Sequence, residues 1–152
     1  MLEGEQITGA LPHGTSVRFS GIYGPDRLRL INRVAAGQAT PEDPPSYTNR
    51  IHIEDCASVL AHLTMLALDD KPLESLYLAS DSMPATSAEV EGYIAQTLGL
   101  SFENTEPVAR SKRIAGSKRC SNKRLLASGY QFKYPDYRAG YKQVIDSMRS
   151  AG

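Results

Sequence analysis

The chain has 152 residues, 41% of them hydrophobic and 22% charged, which is the balance of an ordinary globular domain with a core of its own. Seventeen basic residues offset seventeen acidic ones, so net charge supplies no general attraction to nucleic acid or to an anionic membrane. There is no apolar run long enough for a membrane span, and the two cysteines (Cys56 and Cys120) and three histidines (His13, His52 and His62) lack zinc-ligand spacing. The expectation is a reduced, cytoplasmic protein without a metal.

In chain order, residues 2–11 carry a weak helical pattern closed by "PHGT". "SVRFSGI" at 16–22 follows, with Val17, Phe19 and Ile22 giving a buried, non-alternating strand that stops at a Gly-X-X-Gly-Pro turn. Asp26 is placed to cap a helix in which Leu28, Ile31 and Val34 or Ala35 share a face and Gly37 is the residue after the end. Residues 38–48 hold three of the nine prolines and read as a loop. "NRIHIED" is a short extended piece, and Asp55 is placed to cap a helix with Val59, Leu60, Leu63, Leu66 and Ala67 along its apolar stripe. "SLYLASD" at 75–81 is a second buried strand. Thr86 and Glu89 form a capping box for a helix that ends at Gly99. A short strand is expected within 101–109, then a polar, basic stretch. Ser121 and Gly129 bound a short helix, "YQFKYP" is extended, and a last helix aligns Tyr141, Val144, Ile145 and Met148. Two convincing strands do not make a stable doubly covered sheet. The pattern predicts part of an α/β sheet whose other strands lie elsewhere.

"VRFSGIYGPDR", "NRIHIEDCASVL", "LYLASD" and "GSKRCSNKRLLASGYQFKYPDYRAGY" occur in this order across nearly the whole chain. Together they resemble the C-terminal half of an extended, atypical short-chain dehydrogenase/reductase of the NAD-dependent epimerase/dehydratase type. The resemblance implies one incomplete domain over residues 1–152. It would be a partial Rossmann-type parallel sheet with a small, mostly helical substrate-binding region, the dinucleotide-binding half being absent. It also implies that 16–22 matches the sixth strand of that sheet, with its turn over the nicotinamide of NAD or NADP. Carried over position by position, Ser20, Gly21, Ile22 and Tyr23 face the cofactor. Gly21 and Gly24 would let the backbone approach a flat ring, and Pro25 would stiffen the exit.

Other family features are missing. No Gly-rich dinucleotide fingerprint occurs, and none of the eight tyrosines has a lysine four residues later, so no catalytic residue is assigned. Members often read K-L-x-G-E where this chain reads "MLEGE", which puts Met1 at the lysine's place. Thr48 stands where nucleotide-sugar members carry an arginine, and Gly21 where they often carry asparagine. Both departures argue against a nucleotide-sugar substrate. His52 and Asp55 could form an acid–base pair, but a helix cap and a partly buried strand residue are the stronger reading. His52 is retained as a candidate substrate residue.

The run from Arg110 to Arg124 has seven basic residues and no acidic one. It reads first as a solvated basic face, without the interleaved aromatics of a nucleic-acid platform. Lys118 and Arg119 within it are the candidate pocket-facing cations. The expected function is hydride transfer on a small carbinol or carbonyl substrate by the intact protein, with this chain inactive alone. The alternative is a non-catalytic anion-binding or assembly module using residues 110–124. Loss of partners along 16–22 predicts marginal stability, or self-association through that strand.

Overall fold

The computed structural model describes residues 3–40, 43–101, 106–107 and 117–151. Arg110, Lys112 and Arg113 of the basic run therefore lie outside the described residues, as does most of 101–109 apart from a two-residue strand. The elements are α1 (Glu3–Gly9), β1 (Ser16–Phe19), β2 (Gly21–Tyr23), α2 (Arg29–Ala35), β3 (Gln38–Ala39), β4 (Tyr47–Thr48) and β5 (Arg50–His52), followed by α3 (Ile53–Leu68) and β6 (Leu76–Ala79). They continue with β7 (Ala85–Thr86), α4 (Ser87–Leu98), β8 (Glu106–Pro107), α5 (Lys123–Ala127) and α6 (Tyr137–Ala151). This is a mixed α/β fold of short strand pairs, most of them parallel, under many helices.

The strand expected at 16–22 is present but changes partner at Ser20. Upstream, β1 pairs in parallel with β6, Val17 opposite Tyr77 and Phe19 opposite Ala79. Downstream, β2 pairs in parallel with β5, Ile22 opposite Ile51 and Tyr23 opposite His52. The hand-over is visible in the bonds: Ser20 N–H donates to the Ala79 carbonyl at 3.0 Å, and Gly21 N–H to the Asn49 carbonyl at 3.0 Å. On the far side, Asp81 N–H donates to the Arg50 carbonyl at 2.7 Å. β5 thus enters as a wedge where β1 and β6 diverge at their carboxyl ends. Neither the second pair nor the wedge is readable from β5, which is only three residues long.

Two apolar cores flank this divergence. One gathers Tyr23, Ile31, Val34, Val90, Ile94, Tyr137, Tyr141, Val144 and Ile145 from β2, α2, α4 and α6. The other gathers Ile51, Cys56, Val59, Leu63, Tyr77, Ala79, Leu125 and Tyr130. Arg33 and Thr40 close on the buried Glu91 of α4, which accepts from Thr40 N at 2.6 Å and pairs with the Arg33 guanidinium.

Helix termini follow the sequence in part. The Thr86–Glu89 capping box forms with both reciprocal bonds, and Gly37 and Gly99 take φ of +73° and +78° at their helix ends. Three caps differ. α2 begins at Arg29 after an uncapped Leu28, not on Asp26. α3 begins at Ile53 with His52 as its cap, so Asp55 lies inside the helix. α5 starts after Asn122 rather than Ser121, and the Asn122 side chain makes no cap bond; its amide instead donates to Ser80 O at 2.9 Å and Ser82 Oγ at 3.1 Å. Of the predicted stripes, Val59 and Leu63 of α3 are buried, whereas Leu60 is exposed and Ala67 with it. "YQFKYP" forms no strand.

Candidate functional site

The predicted residues divide into an exposed edge and a buried cluster. At the edge, Gly21 is exposed, and a Cβ there would lie 3.1 Å from the Asn49 carbonyl. Ser20 Oγ is buried with no hydrogen-bond partner among the described residues. Ile22 is half-buried against the second core. Gly24 is buried, and its tightness is toward the chain itself: a Cβ would meet Ile53 Cγ2 at 2.5 Å.

Asn49 joins this edge to the basic segment. Its carbonyl receives Gly21 N–H. Its side-chain Nδ2 donates to the Lys118 carbonyl at 2.9 Å, and its Oδ1 accepts from Cys120 N at 2.7 Å. One primary amide can satisfy a backbone acceptor and a backbone donor together, so Asn49 fastens residues 118–120 beside Gly21. Tyr47 N–H adds a bond to Ser117 Oγ at 2.8 Å. The Arg119 guanidinium sits over the Tyr47 ring, 4.0 Å from its centroid, a cation–π arrangement that holds an exposed cation in place. Lys118 and Arg119 are both exposed. Ser20, Gly21, Lys118 and Arg119 are therefore held together through one residue that the sequence did not single out.

Tyr23 and His52 lie inside. Tyr23 stacks on Tyr141 with centroids 4.4 Å apart and meets His52 edge-on at 5.3 Å. His52 is fully buried and packs on Tyr134 at 4.0 Å. Its Nδ1 accepts from Glu54 N at 3.3 Å, so the ring proton resides on Nε2. Burial lowers the His52 pKa, disfavouring the charged ring, against a rise from Glu54 and Asp55. The Tyr23 hydroxyl is pressed against α6, where a Cβ on Gly140 would fall 1.8 Å from it. Burial raises the Tyr23 pKa, with Asp81 adding to the rise.

Asp55 is the anchor of the C-terminal segment. Its carboxylate accepts from Tyr130 Oη at 2.8 Å, Lys133 N at 2.9 Å and Tyr134 N at 3.0 Å. His52 and Asp55 thus exchange the parts the sequence suggested: the histidine caps the helix and the aspartate is the buried acceptor.

Asp81, also missed, is buried just past the end of β6. Its Oδ1 accepts from Met83 N at 3.2 Å, and its Oδ2 has no partner among the described residues. Burial raises its carboxyl to about 7, opposed by Arg50 and helped by Asp136 and Asp55. No group of three or more potential metal ligands occurs among the described residues, and no described helix is long and apolar enough to cross a membrane.

No family model and no curated protein matches the chain. Solved structures do. A protein from Methylobacillus flagellatus, named for the NAD-dependent epimerase/dehydratases, is 39% identical over 98% of this chain with a TM-score of 0.78, and the match covers 52% of that protein. A protein of unknown function from Silicibacter pomeroyi is 28% identical over 87% of this chain, TM-score 0.67, with 47% of its own length covered. The human epimerase family protein SDR39U1, crystallised with NADPH, shares the fold at 22% identity and TM-score 0.68, again over 47% of its length. These matches place the chain's fold with the NAD-dependent epimerase/dehydratase family, whose sheet is of the Rossmann type. The chain spans about half the length of the solved structures it matches.

Proposed function

We propose that the chain is the substrate-side, C-terminal half of an NAD(P)-dependent epimerase/dehydratase or reductase-like protein. The intact protein would transfer a hydride between nicotinamide and a small carbinol or carbonyl substrate. The carrying observation is the convergence of Ser20–Gly21 with Lys118–Arg119 through Asn49, in a chain 39% identical to the Methylobacillus flagellatus protein.

In this reading the backbone of Ser20, Gly21 and Ile22 faces the nicotinamide, because the exposed Gly21 leaves a flat ring free approach. Tyr23 carries the same turn but directs its ring inward onto His52, which is fully buried and in this reading supports the site from behind rather than touching a substrate. Lys118 and Arg119 hold the anionic part of a substrate. The cofactor supplies the hydride; this chain supplies the ring-facing turn and the cations. The sequence contains no Gly-rich pyrophosphate loop and no Tyr-x-x-x-Lys pair, so the chain alone does not turn over. Hydride transfer to NAD or NADP by the purified chain, followed by nicotinamide absorbance, would refute this reading. For the intact protein, Arg119→Ala is expected to raise KM for an anionic substrate roughly tenfold, the effect of losing one charge-assisted contact, with kcat little changed.

A further inference from the structure

β1 and β6 part at their carboxyl ends, and β5 enters between them. Seven buried side-chain atoms have no partner among the described residues, and four of them, Ser20 Oγ, Tyr23 Oη, Arg50 Nε and Asp81 Oδ2, belong to residues of this fork. Buried polar groups are ordinarily paired, so the clustering is a property of the fork and not a scatter of isolated losses. Arg50 and Asp81 carry opposite formal charges, yet these two atoms do not pair with each other.

The backbone ties both residues to the turn at Gly21. Asp81 N–H donates to the Arg50 carbonyl at 2.7 Å, and Ser80 Oγ donates to the same oxygen at 3.3 Å. Arg50 stands opposite Gly21 in the register of β2 and β5, and Gly21 N–H donates to the Asn49 carbonyl at 3.0 Å. A displacement at the end of β6 therefore reaches Gly21 through one three-residue strand.

The groups around Asp81 determine which charge answers it. Its own segment supplies Met83 N–H, which donates to Oδ1 at 3.2 Å. β5 supplies Arg50, which favours the ionised carboxyl, and His52, whose pKa burial lowers. β2 and α6 supply Tyr23 and Tyr141, whose pKa values burial raises. Asp55 of α3 and Asp136 just before α6 both disfavour ionisation of Asp81. Both are engaged elsewhere, Asp55 with Tyr130 Oη, Lys133 N and Tyr134 N, and Asp136 Oδ1 with Arg138 N and Ala139 N. An uncharged Asp81 exerts no Coulomb pull on Arg50. An ionised one attracts it in a buried setting, where such attraction is several times stronger than in water.

We propose that Arg50 and Asp81 are positioning residues for the turn at Gly21: the β5 wedge, and Gly21 with it, takes one of two settings according to whether Asp81 carries its proton. Loss of the proton to solvent draws Arg50 Nε toward Asp81 Oδ2, and its return releases the guanidinium. That Gly21 faces a nicotinamide rests on the reading given under Proposed function; that Gly21 follows Asp81 does not.

The test titrates the 152-residue chain across neutral pH by nuclear magnetic resonance. The Asp81 carboxyl carbon reports its own protonation, and the Gly21, Asn49 and Arg50 amides report the turn. All are expected to share one midpoint, near the value of about 7 to which burial raises Asp81, while the amide of Gly99, the cap of α4, stays still. Asp81→Asn should abolish the amide shifts. Arg50→Gln should raise the Asp81 midpoint by about one pH unit, the low end of what a neighbouring opposite charge supplies. Arg50→Lys, which keeps the charge, should leave the midpoint close to the parent's. An Asp81 midpoint near its ordinary 3.8, amides that stay still while Asp81 titrates, amide shifts that survive Asp81→Asn and so belong to His52, or a midpoint indifferent to Arg50→Gln would each overturn the proposal. A turn that follows Asp81 within a full-length polypeptide that binds neither NADH nor NADPH would count against the proposed function alone.

Discussion

Replacing Asp81 by asparagine is expected to stabilise the fold at pH 8 and to remove most of a pH-dependent loss of stability. The carboxyl is buried, one oxygen accepts only from Met83 N–H, and the other has no partner among the described residues. Burial lifts its pKa from 3.8 to about 7. The raised value means the folded state holds the proton more tightly than the unfolded chain. Asp81 therefore imposes no penalty below about pH 4, and an increasing one as pH rises from about 4 to 7. With 7 − 3.8 giving roughly three pH units, and about 1.4 kcal/mol for each, the full penalty is about 4 kcal/mol. Asparagine keeps the acceptor for Met83 N–H and carries no charge. His52 acts in the opposite sense, since burial lowers its pKa and stability falls as pH drops below its ordinary 6.5. The difference between the two unfolding curves isolates Asp81. Urea unfolding of parent and Asp81→Asn chains from pH 4.5 to 8.5 should show curves that meet at low pH and separate by several kcal/mol at high pH. Parallel curves, or a variant less stable at pH 8, would refute the reasoning.

Asp55→Ala strips three acceptor contacts from the buried C-terminal segment and should cost about 3–5 kcal/mol; hydrogen exchange at the Lys133 and Tyr134 amides should accelerate with it. Tyr23→Phe removes a buried hydroxyl that has no partner among the described residues, so the melting temperature should move by the equivalent of less than about 1 kcal/mol. Gly140→Ala drives a methyl to within 1.8 Å of that hydroxyl and should cost at least about 2 kcal/mol, read by the same melts.

What the sequence made legible was largely local. The Thr86–Glu89 box and Gly99 carry their own structural reason within a few residues, and both formed. The strand at 16–22 was legible as apolar and β-branched, but its break at Ser20 was not, because the break is caused by β5 arriving between diverging strands. His52 and Asp55 both offer an acceptor near a helix start. Only the distant Tyr130, Lys133 and Tyr134 decide that the aspartate turns inward. Asn49 escaped notice because its partner Lys118 lies 69 residues away, and nothing in "TNRIH" marks an amide that clamps a remote backbone. Asp81 looked like an ordinary residue closing a strand; its burial is a tertiary property, in a stretch tied to the segment before α6 by the bond from Ser82 N–H to Pro135 O.

Nicotinamide binding is the most direct measurement of whether these residues form half of a dinucleotide-dependent protein. NADH and NADPH are titrated, by nicotinamide fluorescence, onto the isolated chain and onto one polypeptide joining the unmatched half of the Methylobacillus flagellatus protein to these 152 residues. Weak or no saturable binding is predicted for the chain alone, and saturable binding for the joined polypeptide, weakened by Gly21→Val at the turn proposed to face the ring, with the fold of the variant checked by melting because a Cβ there would already lie 3.1 Å from the Asn49 carbonyl. Tight binding with hydride transfer by the chain alone, or a folded joined polypeptide that binds neither nucleotide, would contradict it.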